Sequence, residues 1–383
     1  MVFIIFKIGY IRDMHIVQLL PELNQGGVER GTVELNRELV KRGHHSTVIS
    51  AGGRLSSVIQ DDGGDHITLN LCSKNPFTFF QRSYLLKQVF KRINPTLLHA
   101  RSRVPAWLCW QANKSLKLPF ITTVHGFNSV NAYSAIMTKG DHVLSVSNAI
   151  KEYINSNYTH IDRDRCHVIH RGLDKDEFDL NKVDHNWIDQ FQKKYSLKSH
   201  YIVTSVGRIT QLKDYETFIQ AIALLQKKIP HIKGLIVGGV NRDKTKYYRK
   251  LTSLVASHNL SDRIIFAGSQ TNIREIYFLS DLIVSSSKKP ESFGRTVVEA
   301  MAMDTPAIGT NHGGIAEILP QERLFEPQNI NQLSQCINQI YKIPSQHYRD
   351  QTLDKFSLDT MVNQVLDVYN RVLKESPTCM MKT

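Results

Sequence analysis

Residues 282–303 read LIVSSSKKPESFGRTVVEAMAM. LIVSSS is a short apolar, β-branched run, which is strand chemistry. KKPESFG is a loop, with Pro290 and Gly294 as its turn residues. RTVVEAMAM is an apolar run made mostly of helix formers. Two carboxylates mark the unit. Glu291 stands just before the helix, at the carboxyl end of the strand. Glu299 lies in the helix body, flanked by Val297, Val298, Ala300 and Met301.

The same strand–loop–helix unit recurs in both directions. HIVQLLP after Met14 leads through the glycine loop NQGGVERGT into the helix VERGTVELNRELVKRG. STVISA, HITLNL, a helix through 79–92, LLHA, a helix through 105–115, FITTVHG, HVLSVS and HVIHRG follow. Past the polar stretch DKDEFDLNKVDHN the alternation restarts. YIVTSVGR, IKGLIVGG, RIIFAG, LIVSSS and PAIGT read as strands; DYETFIQAIALLQKK and YRKLTSLVASHN read as helices. The last helix, LDTMVNQVLDVYNRVLKE, repeats apolar residues at Met361, Val365, Val368 and Tyr369, with Ser357 or Asp359 as its cap. Strands alternating with helices imply βαβ units and a parallel sheet. The expected architecture is α/β, with two doubly wound, Rossmann-like domains. Residues 14–185 form the first domain and 186–358 the second, while 359–375 form a helix crossing back to the first. Ligands of such sheets bind at the carboxyl ends of strands, so the expected site is a cleft between the domains.

Composition agrees. A chain of 383 residues is long for one core, and 41% apolar with 22% charged residues excludes a disordered or fibrous class. The five cysteines, Cys72, Cys109, Cys166, Cys336 and Cys379, show no metal-ligand or redox spacing, which fits a reducing compartment. The apolar leader MVFIIFKIGY is too short to span a bilayer and lacks a small-residue cleavage site. Residues 1–13 therefore read as an extension before a start at Met14, or as a short membrane-touching segment.

The net charge of +13 points to an anionic partner. From Leu71 to Gly140 there is no Asp or Glu, while ten Lys and Arg fall there, Arg82, Lys87, Lys91, Arg101 and Arg103 among them. On the helix through 79–92, Phe79, Tyr84, Leu85 and Val89 share an apolar flank edged by Arg82, Lys87 and Lys91. That pattern suits either an anionic bilayer surface or a solvated helix packed on a sheet.

Three stretches carry chemistry. Gly26-Gly27 lies between a strand and a helix, where backbone N–H groups approach a phosphate or sugar, or where a tight turn is needed. It is not the GxGxxG dinucleotide fingerprint. Arg208 and Lys213 share one strand-to-helix loop and can neutralise a diphosphate, whose charge grows as it leaves, or stand as two solvated loop charges. Glu291 and Glu299 are strong acceptors for paired hydroxyls, and the helix N-terminus between them favours an anion. Hydroxyls at each end and phosphate between describe a nucleotide sugar. Asp61-Asp62, the nearest approach to a DxD-like metal site, reads as part of a glycine-rich turn. No metal and no cofactor is expected, with a nucleotide-diphosphate sugar as co-substrate.

LLPELNQGGVER, TTVHG, SVS, SVGRITQLKD, ESFGRTVVEAMAM and PAIGTNHGGIAEIL, in this order, resemble the retaining glycosyltransferases of the GT-B fold, family 4, from Met14 to about Glu375. The resemblance implies that Glu299 holds the donor ribose and that Glu291 faces the donor sugar, with the Phe293 and Gly294 backbone near its hydroxyls and phosphate. It also implies that Arg208 and Lys213 bind the diphosphate, that Gly26-Gly27 borders diphosphate and acceptor, and that His125 lies near the donor sugar. Base contacts are expected near Phe266–Gly268. Front-face attack, with the leaving phosphate taking the acceptor's proton, is the mechanism such enzymes are thought to use. No second carboxylate pair of the glycosidase kind is evident.

RGTVELNRELVKRGHHSTVISAGGRL and LLHARSRVPAW are similar to a bacterial subgroup assigned to lipopolysaccharide assembly. This implies a lipid-linked or lipopolysaccharide-type acceptor in cell-envelope glycan synthesis. It also implies a cytoplasmic protein, peripheral at the inner face of the cytoplasmic membrane. One departure is His170-Arg171-Gly172 where the family has a Pro-Asn-Gly-like turn; Arg171 adds a cation near the cleft or only replaces a turn residue. A nucleotide-sugar epimerase or hydrolase of the same fold, and a non-catalytic nucleotide-sugar-binding protein, remain as other readings. No nucleic-acid-binding module is present, so nucleic acid is not an expected partner.

Overall fold

The computed structural model describes residues 13–24, 26–159, 161–240, 245–343 and 347–376. The leader before Asp13, and Cys379, lie outside the described residues. The chain divides into two compact units. The first comprises residues up to His170 together with those from Met361 on; the second is Arg171–Thr360.

Seven strands build the first unit: β1 (His15–Leu19), β2 (His45–Ser50), β3 (Asp65–Thr68), β4 (Leu97–Ala100), β5 (Phe120–Val124), β6 (His142–Ser145) and β7 (Cys166–Val168). All pair in parallel, in the order β3-β2-β1-β4-β5-β6-β7. Ile16, Val17 and Leu19 of β1 are fully buried, as expected of a parallel strand covered on both faces. The order reverses between β1 and β4, so the loops after these two strands open a crevice at the carboxyl edge.

The second unit has six strands: β8 (Tyr201–Val206), β9 (Ile232–Val237), β10 (Ile264–Gly268), β11 (Leu282–Ser285), β12 (Ala307–Thr310) and β13 (Leu324–Phe325). Their order is β10-β9-β8-β11-β12-β13, again all parallel. Its reversal falls between β8 and β11, paired Leu282 to Val203 and Ile283 to Thr204. Tyr215, Phe218, Ile219, Ile222 and Leu225 of the helix Tyr215–Leu225 recur at helical spacing and are buried against this sheet. Each such side chain contributes roughly 1.5–3 kcal/mol of transfer free energy.

The helix Leu358–Glu375 starts in the second unit and ends in the first. Ser357 caps it, its Oγ accepting from Thr360 N at 3.1 Å. Met361, Val365, Val368 and Tyr369 are buried, and the Tyr369 hydroxyl meets His99 Nδ1 at 2.7 Å.

The helix Phe79–Ile93 differs from the sequence expectation in one respect. It packs by Ser83, Leu86 and Phe90, leaving Tyr84 and Leu85 exposed. Arg82, expected at its solvent edge, is buried instead. Its guanidinium donates to the carbonyls of Asn70, Asn75 and Thr78 at 3.2–3.3 Å, so it pins the preceding loop. Periodicity cannot anticipate this, because the acceptors are backbone groups of an irregular segment.

Candidate functional site

The crevice of the second unit opens between the loops after β8 and β11. Gly207 follows β8 directly. A Cβ built there would lie 2.8 Å from Lys213 Cε, so the bare glycine lets the lysine stem fold back over the strand end. Lys213 Nζ reaches Glu291 Oε1 at 2.6 Å across the crevice, and Ser287 Oγ donates to the same oxygen at 2.6 Å. Burial pushes the Glu291 carboxyl up. The Lys213 charge, its hydrogen bond and that of Ser287 outweigh this, so it is held below the ordinary carboxylate value. Both partners are half-buried and remain accessible to a ligand. Arg208 is exposed on the same loop and has no ion-pair partner among the described residues.

Backbone contacts fix the height of Glu291. Its carbonyl accepts from Gly314 N at 2.8 Å, and a Cβ on Gly314 would lie 2.5 Å from the Phe293 backbone. Only glycine allows the loop after β12 to press this closely on the loop after β11. Phe293 is buried with its ring against Phe356, so its backbone rather than its side chain is available to a ligand. Gly294, at φ +108°, starts the helix Arg295–Ala302. Five residues on, Glu299 is 6% exposed. Its Oε1 accepts from Arg295 Nε at 2.5 Å and its Oε2 from the Tyr277 hydroxyl at 2.8 Å. A carboxylate has about four lone-pair sites, so each oxygen keeps capacity for a ligand hydroxyl.

The first unit has its own crevice at the β1/β4 reversal. Gly26 precedes the helix Gly27–Lys41, whose Val28 and Glu29 line a cavity of about 300 Å³. Arg101, Arg103, Thr123 and His125 complete that lining. Gly26, Gly27 and His125 therefore stand at one end of one sheet. Arg208, Lys213, Glu291, Phe293, Gly294 and Glu299 stand on the loops and helix at the reversal of the other.

The family model described as glycosyl transferases group 1 matches residues 188–353, and that described as Glycosyltransferase Family 4 matches residues 25–177. A crystal structure of a glycosyltransferase from Rickettsia africae ESF-5 is 32% identical over 96% of this chain and 100% of that one, with a TM-score of 0.87. This chain is a family 4 glycosyltransferase. N-acetyl-alpha-D-glucosaminyl L-malate synthase of Bacillus anthracis is 27% identical, over 93% of this glycosyltransferase and 96% of the relative. Anabaena HepE, crystallised with UDP, shares the GT-B fold at a TM-score of 0.82 and 18% identity, over 94% of this chain and 100% of that one.

Three side chains of the glycosyltransferase stand at these crevices without having been singled out in its sequence. Lys288 Nζ lies 3.3 Å from Asp214 Oδ1, a carboxylate that burial pushes up despite Thr217 and Lys288. His312 Nε2 meets the Ser287 carbonyl at 2.9 Å. Arg101 lines the cavity of the first unit. The double-lysine loop and TNHGG carry a signal for the first two; in the sequence Arg101 stands out only as one member of the basic strip.

Proposed function

We propose that this glycosyltransferase moves a hexose-type sugar, with retention, from a nucleotide-diphosphate sugar to a membrane-linked saccharide acceptor in lipopolysaccharide or other cell-envelope glycan synthesis. The observation that carries the donor half is the Lys213–Glu291 pair at the β8/β11 reversal, with Glu299 on the helix that begins beside it. Glu291, held ionised, accepts from hydroxyls of the donor sugar. Glu299 accepts from the ribose. Arg208 and Lys213 answer the charge that builds on the leaving diphosphate, which needs no resident metal. The leaving phosphate oxygen takes the acceptor hydroxyl's proton as the new glycosidic bond forms on the same face. HepE's complex with UDP supports a nucleotide donor.

A melting-temperature screen against UDP, GDP, ADP and CMP sugars tests the donor, since a ligand of the native state raises the midpoint by mass action. One diphosphate-sugar class should shift the wild type and shift Glu299→Gln less at the same concentration; no shift with any of them would sink the donor assignment. The anomeric configuration of the product, read by NMR, tests retention.

The acceptor half rests on the segment before and within the helix Phe79–Ile93. Phe77 is 94% and Phe80 71% exposed, beside Tyr84 and Leu85, in a stretch devoid of acids. An apolar groove of about 350 Å³ adjoins them, lined by Pro76, Phe79, Phe80, Val104, Trp107 and Tyr133 among others. Exposed aromatics flanked by cations suit the interface of an anionic bilayer. No helix among the described residues is long and apolar enough to cross one. Replacing Phe77 and Phe80 together by serine should cut cosedimentation with phosphatidylglycerol vesicles at least tenfold, since burying each ring contributes roughly 1.5–3 kcal/mol. Equal sedimentation of variant and wild type would remove the membrane from this surface.

A further inference from the structure

The cavity of the first unit holds a buried cation that no carboxylate of the described residues contacts. Arg101 follows β4 and is only 6% exposed, yet its side chain lines the cavity. Its backbone N–H closes on the Leu19 carbonyl at 2.9 Å, which ties it to the end of β1. Its Nη1 donates to Gln18 Oε1 at 2.9 Å, and Gln18 is itself fully buried. The buried Nε has no acceptor among the described residues, and Arg101 makes no ion pair among them. Glu34 attracts it but is engaged by Arg30 at 2.9 Å, and Glu29 attracts it from the cavity wall. Burial lowers the guanidinium to about 10, which still leaves it cationic at neutral pH.

Desolvating a cation without a contacting carboxylate is unfavourable. An anionic ligand would offset that cost. The surroundings favour the same charge. Arg103, two residues on, lines the cavity and spends one nitrogen on Ser134 Oγ at 3.2 Å. The helices Gly27–Lys41 and Arg103–Asn113 both begin here, with their positive ends at the crevice. Arg103 also lies 5.3 Å over the Tyr133 ring, and Tyr133 lines the apolar groove described above. Cation and apolar wall therefore adjoin. At about 300 Å³ the cavity is at the lower limit for a ligand pocket, enough for an acidic sugar or a phosphorylated end.

We infer that Arg101, with Arg103 beside it, reads an acidic group on the acceptor, a phosphate or a carboxylate close to the hydroxyl that is glycosylated. This rests on the transferase reading above, in which the donor diphosphate is served by Arg208 and Lys213 of the other unit. Arg101 is thus a specificity group for an acidic acceptor, and a neutral saccharide leaves it uncompensated.

The test titrates inorganic phosphate, acetate and UDP into wild type, Arg101→Met, Arg101→Lys and Lys213→Met at constant ionic strength set with chloride. Melting temperature and calorimetry are the readouts. Phosphate or acetate should stabilise the wild type and Lys213→Met alike. Its Kd should rise at least tenfold in Arg101→Met and less in Arg101→Lys, which keeps the charge but loses the fork. The tighter of the two anions identifies the acidic group. UDP affinity should be unchanged in both Arg101 variants. Loss of UDP binding with Arg101 would assign the anion to the donor and overturn the acceptor role. Anion affinity unchanged by Arg101→Met on the Lys213→Met background, where the donor-side cation is gone, or no anion binding by the wild type up to about 50 mM, would overturn it as well. A wild type that binds phosphate but no nucleotide would contradict the donor assignment and leave the anion subsite standing. Should Arg101→Met fail to fold, Arg101→Gln takes its place, because it keeps a hydrogen-bonding head without the charge, and unchanged anion affinity there means a structural arginine.

Discussion

Replacing Lys213 by methionine should lower kcat/KM for sugar transfer by about two to three orders of magnitude, the loss typical of removing one group aimed at developing charge. Methionine keeps much of the stem that lies over Gly207 and removes only the ammonium. The change also acts on Glu291, which loses the partner 2.6 Å away and retains the Ser287 hydroxyl. Its carboxyl should then move up, because burial is no longer outweighed. The sign of the stability effect follows. In the wild type the folded-state carboxyl lies below its unfolded value. The pair therefore contributes stability above the unfolded carboxylate range, and this is lost as pH falls through the folded value. The gap between wild type and Lys213→Met should be widest near neutral pH and close on acidification. Urea unfolding across a pH series, with initial rates at saturating acceptor, measures both. Rates within about threefold of wild type would remove Lys213 from charge stabilisation. A stability gap independent of pH would remove the ion pair from the folding balance.

Glu299→Gln should weaken donor binding by roughly 1–3 kcal/mol, about 5- to 150-fold, with the fold intact. The amide is nearly isosteric. Its oxygen still accepts from Arg295, and its nitrogen can donate to the Tyr277 hydroxyl oxygen, whose own proton must then turn to another acceptor. Glu299→Ala is a poorer probe. It removes the acceptor that Arg295 Nε and the Tyr277 hydroxyl share and adds a stability cost of about 1–3 kcal/mol of its own. Calorimetry with the preferred nucleoside diphosphate and its 2′-deoxy analogue makes a double-mutant cycle. If Glu299 holds the ribose, losing carboxylate and hydroxyl together costs less than the sum of the separate losses. Strict additivity, or unchanged affinity for the Glu299→Gln variant, would take the ribose away from Glu299.

The alternation of β-branched runs with helical runs was enough to read the two sheets, because buried parallel strands are continuous in their apolar chemistry. LIVSSS and YIVTSVGR announced β11 and β8, and with them the loops that hold Glu291 and Lys213. What periodicity could not supply was partnership. Leu324–Phe325 is too short to show a period, so β13 is visible only by its pairing with β12. Arg82 and Arg101 look alike as basic residues in an acid-free stretch. One is saturated by loop carbonyls, and the other faces a cavity. Lys213 and Glu291 were legible as separate groups for phosphate and sugar; that they bind each other depends on a chain separation of 78 positions folding back. Charge is written locally, whereas its compensation is long-range.

The first unit is built from two stretches of chain, with all of the second unit encoded between them. On the ribosome, β1 to β7 emerge long before Met361. At about 5–20 residues per second, the intervening stretch of about 190 residues takes roughly 10–40 s to synthesise. During that interval His99 lacks the Tyr369 hydroxyl, and the apolar surface that Val362, Leu366 and Val372 later cover is open. The amino-terminal unit is therefore the last to be completed, and the nascent chain carries an exposed seam that a chaperone can hold until its final helix arrives.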